Sequence, residues 1–130
     1  MQCFYKMKPL LINLSNHPHS LWDEKQLHAA EIYGDVVELP FPDIPPLCNE
    51  EDIEQLSGEY IERVTAVGSP VQLTVHLMGE MTFCYSLLRK LQKRGIRCIA
   101  SCARRNVTET PEGVKQVVFD FERFRKYMSE

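Results

Sequence analysis

The sequence predicts an α/β fold: a small three-layer sandwich around a sheet of about five strands, mostly parallel, with an antiparallel C-terminal strand. Three observations predict it. Short apolar or β-branched runs alternate with longer segments of helical spacing. Glycine and proline signals separate them at Gly34, Gly68-Ser69-Pro70, Gly95 and Pro111-Glu112-Gly113. The last two strand-like runs have no helix between them, so the final strand returns antiparallel.

Each element has its own reason. Residues 1–8 read as a ragged extension, with Met7 as an alternative start. Leu10-Leu11-Ile12-Asn13-Leu14 is an apolar run expected as a buried strand, and Ser15-Asn16-His17-Pro18 is the loop after it. Ser20 is expected to cap a helix from Leu21 or Trp22 to Tyr33, with Asp23 and Glu24 in its first turn and Gly34 ending it. Trp22 is expected in the core. Asp35 to Leu39 is the second strand. Pro40, Pro42, Pro45 and Pro46 then make a rigid extended connector, because proline suits neither a helix interior nor a central strand. Asn49 caps a helix to about Val67, with Ile53, Leu56, Tyr60, Val64 and Val67 on one face.

Val71 to Met78 is the third strand. Gly79 to Thr82 turns into a helix to about Arg94, buried through Phe83, Cys84, Leu87, Leu88 and Leu91 and closed by Gly95. Ile96 to Ala100 is the fourth strand and 103–113 a turn region. Val114 to Phe121 is the last strand, with a hairpin pairing over Thr108 to Phe119. The order is β-α-β-α-β-α-β-β. With right-handed crossovers it makes a single Rossmann-like domain over residues 1–130.

Composition removes several classes of function. The chain has 130 residues, 44% hydrophobic and 25% charged, which suits one globular domain and excludes a disordered chain. It carries no apolar run that would span a membrane, and Met1-Gln2-Cys3-Phe4 is no signal peptide, so a cytoplasmic location is expected. The five cysteines are then expected as reduced thiols without a metal, because Cys98 and Cys102 lack the C-x-x-C spacing. The net charge of −3 argues against bulk DNA binding. The charge is unevenly spread: Arg89, Lys90, Lys93, Arg94, Arg97, Arg104 and Arg105 follow one another with no acid between them. Such a run is either a solvated helix face or a local field for an anion.

Chemistry is expected at the carboxyl ends of the strands, where open α/β sheets bind their ligands. That rule selects Ser15, Asn16, His17 and His19 after the first strand, and Gly79, Glu80, Met81 and Thr82 after the third. After the fourth it selects Ser101, Cys102, Arg104 and Arg105. In the second group the glycine admits a close ligand, and a helix N-terminus offers free N–H groups to an anion. Glu80 repels a phosphate there but suits a ribose hydroxyl or an adenine amino group. The plain alternative is an ordinary turn in which Glu80 complements the helix dipole. His17 is a candidate general acid. His76 lies inside the third strand, either as core or beside the site.

These segments resemble small stand-alone CRISPR-associated Rossmann-fold (CARF) proteins. The resemblance rests on the strand ending in Ser15-Asn16-His17, the segment Gln26 to Ala30, and Leu39-Pro40 before the proline-rich connector. It rests further on His76-Leu77-Met78-Gly79-Glu80-Met81-Thr82-Phe83 and on Ile99-Ala100-Ser101-Cys102-Ala103-Arg104-Arg105. It implies a homodimer that binds a cyclic oligoadenylate in an antiviral type III CRISPR response. Ser15, Asn16, Gly79, Glu80, Met81, Thr82 and Ser101 would contact the ligand. It also implies the ring-nuclease reaction of some members, in which a ribose 2′-hydroxyl attacks its own phosphate without metal or cofactor. Arg104 and Arg105 would then stabilise charge and His17 would serve as acid. Glu80 departs from the small or polar residues common there. Two other readings stand beside this one: another phosphoester or nucleotide enzyme on the same fold, and an interaction subunit without a small ligand.

Overall fold

The structure is a computed structural model that describes residues 7–129. Most of the expected 1–8 extension, residues 1–6, lies outside the described residues, as does Cys3. Lys8 is tied down, since its carbonyl accepts from Gln72 Nε2 at 2.8 Å.

The elements follow the expected order: β1 Leu10–Ser15, α1 Glu24–Ala30, β2 Asp35–Glu38, α2 Glu50–Val67, β3 Leu73–Met78, α3 Met81–Lys93, β4 Arg97–Glu109 and β5 Lys115–Lys126. The sheet runs β2-β1-β3-β4-β5, and only the β4–β5 pairing is antiparallel. This is the predicted α/β fold.

The layers follow from the direction of travel. From β1 the chain moves outward to β2, then crosses back to β3 and on to β4. Crossovers of one hand place a helix on opposite faces when the direction reverses. Accordingly α2 and α3 share one face, where Ile12, Leu14, Leu73, Val75, Leu77 and Cys98 meet Ile53, Tyr60, Val64, Phe83, Leu87 and Leu91. The α1 face is smaller: Leu11 and Ile99 pack with Trp22, Ala30, Phe121 and Phe124. Trp22 is core, as expected, at 5% exposure.

Local signals explain the boundaries, and two expectations need correction. Asn49 caps α2 as expected, in a reciprocal capping box with Asp52. Asp23, not Ser20, caps α1: its side chain accepts from Gln26 N at 2.8 Å, while Ser20 lies inside a separate 3₁₀ turn, His19–Leu21. The carboxylate reaches the free N–H of the first turn, so the helix starts later and is shorter than its apolar pattern implied.

The larger correction concerns β4. It continues through the expected turn region to Glu109 and pairs with β5 as a long ribbon around Pro111-Glu112-Gly113. Residues 103–120 are exposed apart from the half-buried Asn106 and Thr110, so the ribbon stands clear of the helices. At about 3.3 Å per residue it reaches roughly 25 Å past Ser101.

Candidate functional site at the carboxyl edge of the central strands

The connections leaving β1 and β3, adjacent parallel strands, go to opposite sides of the sheet. A crevice opens at the carboxyl ends of such a pair. Ser15 and Met78 are in register there, and Asn16 N donates to Met78 O at 3.1 Å. The two segments selected from the sequence, 15–17 and 79–82, therefore meet at one edge.

Beneath this edge a chain of hydrogen bonds crosses all four parallel strands on the α1 face. Its direction can be read from its ends. Glu38 accepts from Asn13 Nδ2 at 3.1 Å, so Asn13 turns its oxygen toward His76. That oxygen accepts from His76 Nδ1 at 2.8 Å, which leaves Nε2 as an acceptor. Ser101 Oγ donates to Nε2 at 2.6 Å and accepts from Gln26 Nε2 at 3.1 Å. Asn13, Gln26 and His76 are buried, and Trp22 and Phe124 lie edge-on to the His76 ring. Burial, with a smaller contribution from His17, pushes the His76 imidazole down to about 4, so it is neutral at pH 7.

The same network builds the first loop. The His17 carbonyl receives Asn13 Nδ2 at 3.0 Å and Trp22 Nε1 at 3.1 Å, while the Ser15 hydroxyl donates to Asn13 Oδ1 at 2.8 Å. His17 N in turn donates to Ser15 Oγ at 3.2 Å. The loop backbone is held from below while Asn16 and His17 remain exposed at the edge. Ser15 itself is 4% exposed, so it supports the loop more than it offers a hydroxyl to the crevice.

The second loop differs in detail from its expectation. A Cβ on Gly79 would lie 2.3 Å from the Phe41 ring, and φ is +154°. The glycine makes room for the proline-rich connector rather than for a ligand. Glu80 caps α3: its carboxylate accepts from Thr82 N and Phe83 N at 2.9 Å each and also binds the Thr82 hydroxyl. The hydroxyl of Thr82, followed by the two N–H groups, holds the carboxyl below its usual range. The free N–H groups expected to attract an anion are thus already taken, and the plain reading of Glu80 describes this turn.

On the α3 side, Met78, Gly79, Met81, Cys84, Tyr85, Leu88 and Tyr127 line an apolar cleft of about 320 Å³ that opens at this edge. Burial, and secondarily Glu80, raise the Cys84 thiol to about 12, so it is no nucleophile at neutral pH.

The basic run divides. Lys90 joins α3 to α2, with Nζ 2.6 Å from Glu54 Oε2 and 2.8 Å from Ser57 Oγ, and Arg94 pairs with Glu62 at 3.1 Å. Those residues form a helix face. Arg104 and Arg105 were expected on the strand edge; they lie beyond it, on opposite faces of the ribbon, because β4 does not end at Ala100. Arg104 pairs with Glu122 at 3.1 Å. Among the described residues no three His, Cys, Asp or Glu side chains gather to hold a metal, and no helix is long and apolar enough to cross a membrane.

Sequence reasoning passed over Asn13, Gln26 and Glu38. A signal existed: Asn13 is the one polar residue in Leu10-Leu11-Ile12-Asn13-Leu14, and His76 interrupts a β-branched strand. A polar group inside a buried strand needs a partner.

Fold and edge define a small doubly wound α/β protein whose two loops meet at its switch point. The model of the Uncharacterized protein MJ1673 family matches residues 9–125, and the chain belongs to that family. No curated protein and no solved structure matches it.

Proposed function

We propose that the protein binds a cyclic oligoadenylate at the carboxyl edge of β1 and β3, as a homodimer in an antiviral CRISPR-linked response. One observation carries the reading: the exposed Asn16-His17 turn, held rigid by the Asn13–His76–Ser101 network, lies directly beside the 79–82 turn at the switch point. A preorganised loop avoids the ordering cost of binding. The apolar cleft bounded by Met78, Met81 and Tyr85 suits an adenine ring. Glu80 keeps phosphate away from the start of α3 and accepts from a ribose hydroxyl or an amino group. Met81 lines this cleft, Thr82 follows it in the same turn, and Ser101 supports the edge from the network on the α1 face. In cleavage, His17 is the acid for the leaving 5′-oxygen, and Arg104 stabilises the phosphate charge from the ribbon.

The test mixes pure protein with cyclic tetra- and hexa-adenylate in chelator, following the melting curve and the nucleotide by chromatography. A raised melting temperature supports binding, and loss of the ring supports the nuclease reaction. Cleavage abolished by His17→Ala with binding retained supports its acid role. No shift with either ring rejects the reading and leaves a different enzyme or an interaction subunit.

A further inference from the structure

The β4–β5 ribbon has two unlike faces. Residues opposite one another in an antiparallel pair share a face, and alternate pairs share the same one. Arg104 with Asp120, Asn106 with Val118 and Thr108 with Gln116 make a largely polar face on the α3 side. Ala103 with Phe121, Arg105 with Phe119, Val107 with Val117 and Glu109 with Lys115 make the other. Phe121, buried in the α1-side core, anchors that face at the base. Beyond it Phe119 is 66%, Val107 50% and Val117 45% exposed. A two-stranded ribbon with an apolar face in water is marginal alone and calls for cover.

The order of charges says what covers it. From tip to base the rows read Glu109/Lys115, Val107/Val117, Arg105/Phe119 and Ala103/Phe121. A two-fold axis through the Val107/Val117 row lays a second copy face to face, tip toward base, with β4 over β4 and β5 over β5. Val107 then meets Val107 of the partner subunit. Glu109 meets Arg105 of the partner subunit, and Lys115 lies over the ring of Phe119 of the partner subunit. Symmetry makes each contact twice. The face is therefore self-complementary, with apolar residues on the axis, ion pairs beside them and cations on aromatic rings.

We infer that the protein dimerises through the α1-side face of this ribbon, antiparallel about Val107 and Val117. The inference rests on the proposed function only for the expectation of a homodimer. It names the surface, and it is independent of the ligand.

The test is sedimentation of the ligand-free full chain across a micromolar concentration series, with near-ultraviolet circular dichroism to confirm folding. The wild type is expected to dimerise. Val107→Lys places two ammonium groups on the axis and should weaken the dimer at least about tenfold. Arg105→Glu and Glu109→Arg should each weaken it about three- to tenfold, while the double exchange restores it to within about threefold. A wild-type monomer at every concentration overturns both the ribbon interface and the homodimer, and leaves the ligand reading to its melting curve. A dimer that survives Val107→Lys overturns the ribbon interface alone. A double exchange no better than the single variants overturns the antiparallel arrangement.

Discussion

Asn13 Oδ1 accepts a hydrogen bond from His76 Nδ1 at 2.8 Å in the sealed middle of the sheet, and this contact orients everything above it. It fixes the imidazole as the Nδ1–H tautomer and so sets the direction of the whole chain: Gln26 to Ser101 to His76 to Asn13 to Glu38. The same asparagine amide holds the His17 carbonyl, so the floor of the crevice and its rim are one unit.

Removing one link leaves a buried acceptor unsatisfied. Ser101→Ala deprives His76 Nε2 of its donor and is expected to cost about 1–3 kcal/mol in urea unfolding. His76→Leu removes the acceptor of the Ser101 hydroxyl and leaves Asn13 Oδ1 with Ser15 Oγ alone, and is expected to cost about 3 kcal/mol. Wild-type stability in His76→Leu would show that the network does not order this face.

Acid should loosen the same network. The His76 imidazole falls from 6.5 in the unfolded chain to about 4 in the fold. The unfolded state therefore binds the extra proton first. The stability held above pH 6.5 is lost as pH falls toward 4, by up to about 3 kcal/mol. Unfolding curves between pH 7 and about 5.5, above most carboxylate titration, check this. His76→Gln should flatten the slope, and an unchanged slope in that variant would assign it to other groups.

Gly79→Ala sets a Cβ 2.3 Å from the Phe41 ring at a φ of +154°. A loss of about 2–4 kcal/mol is expected, from strain and displaced packing at once. Adding Phe41→Ala should not make the protein worse by the full cost of the second change, because the clash is gone. Strict additivity in the double variant would contradict this account of the glycine.

Glu80→Ala removes the cap of α3 and should cost about 1 kcal/mol, with Glu80→Asp or Glu80→Ser recovering most of it. Chemical denaturation reads this directly. A neutral Glu80→Ala would mean that the N–H groups of Thr82 and Phe83 find water as good a partner.

Much of the fold was legible because it is written in local chemistry. The Asn49 capping box, the stop at Gly68 and the prolines between Pro40 and Pro46 are interactions among near neighbours, so their residue types announce them. The α1 start was misplaced by a few residues because Ser20 and Asp23 are both good caps, and only the path of the chain after His17 chooses between them. The length of β4 was not legible. Ala103-Arg104-Arg105-Asn106 has no apolar alternation, and its strand conformation comes from its pairing with β5.

The sequence by itself determined the order of strands and helices, the antiparallel last strand and the two loops at the carboxyl edge, since periodicity, caps and turn residues act over a few residues. Tertiary structure alone decided that Asn13, His76 and Ser101 share one hydrogen-bonded line, that Gly79 yields to Phe41, and that Arg104 and Arg105 leave the edge on a ribbon. Those relations join residues far apart in the chain. They exist only once sheet register and helix packing have set which side chains meet.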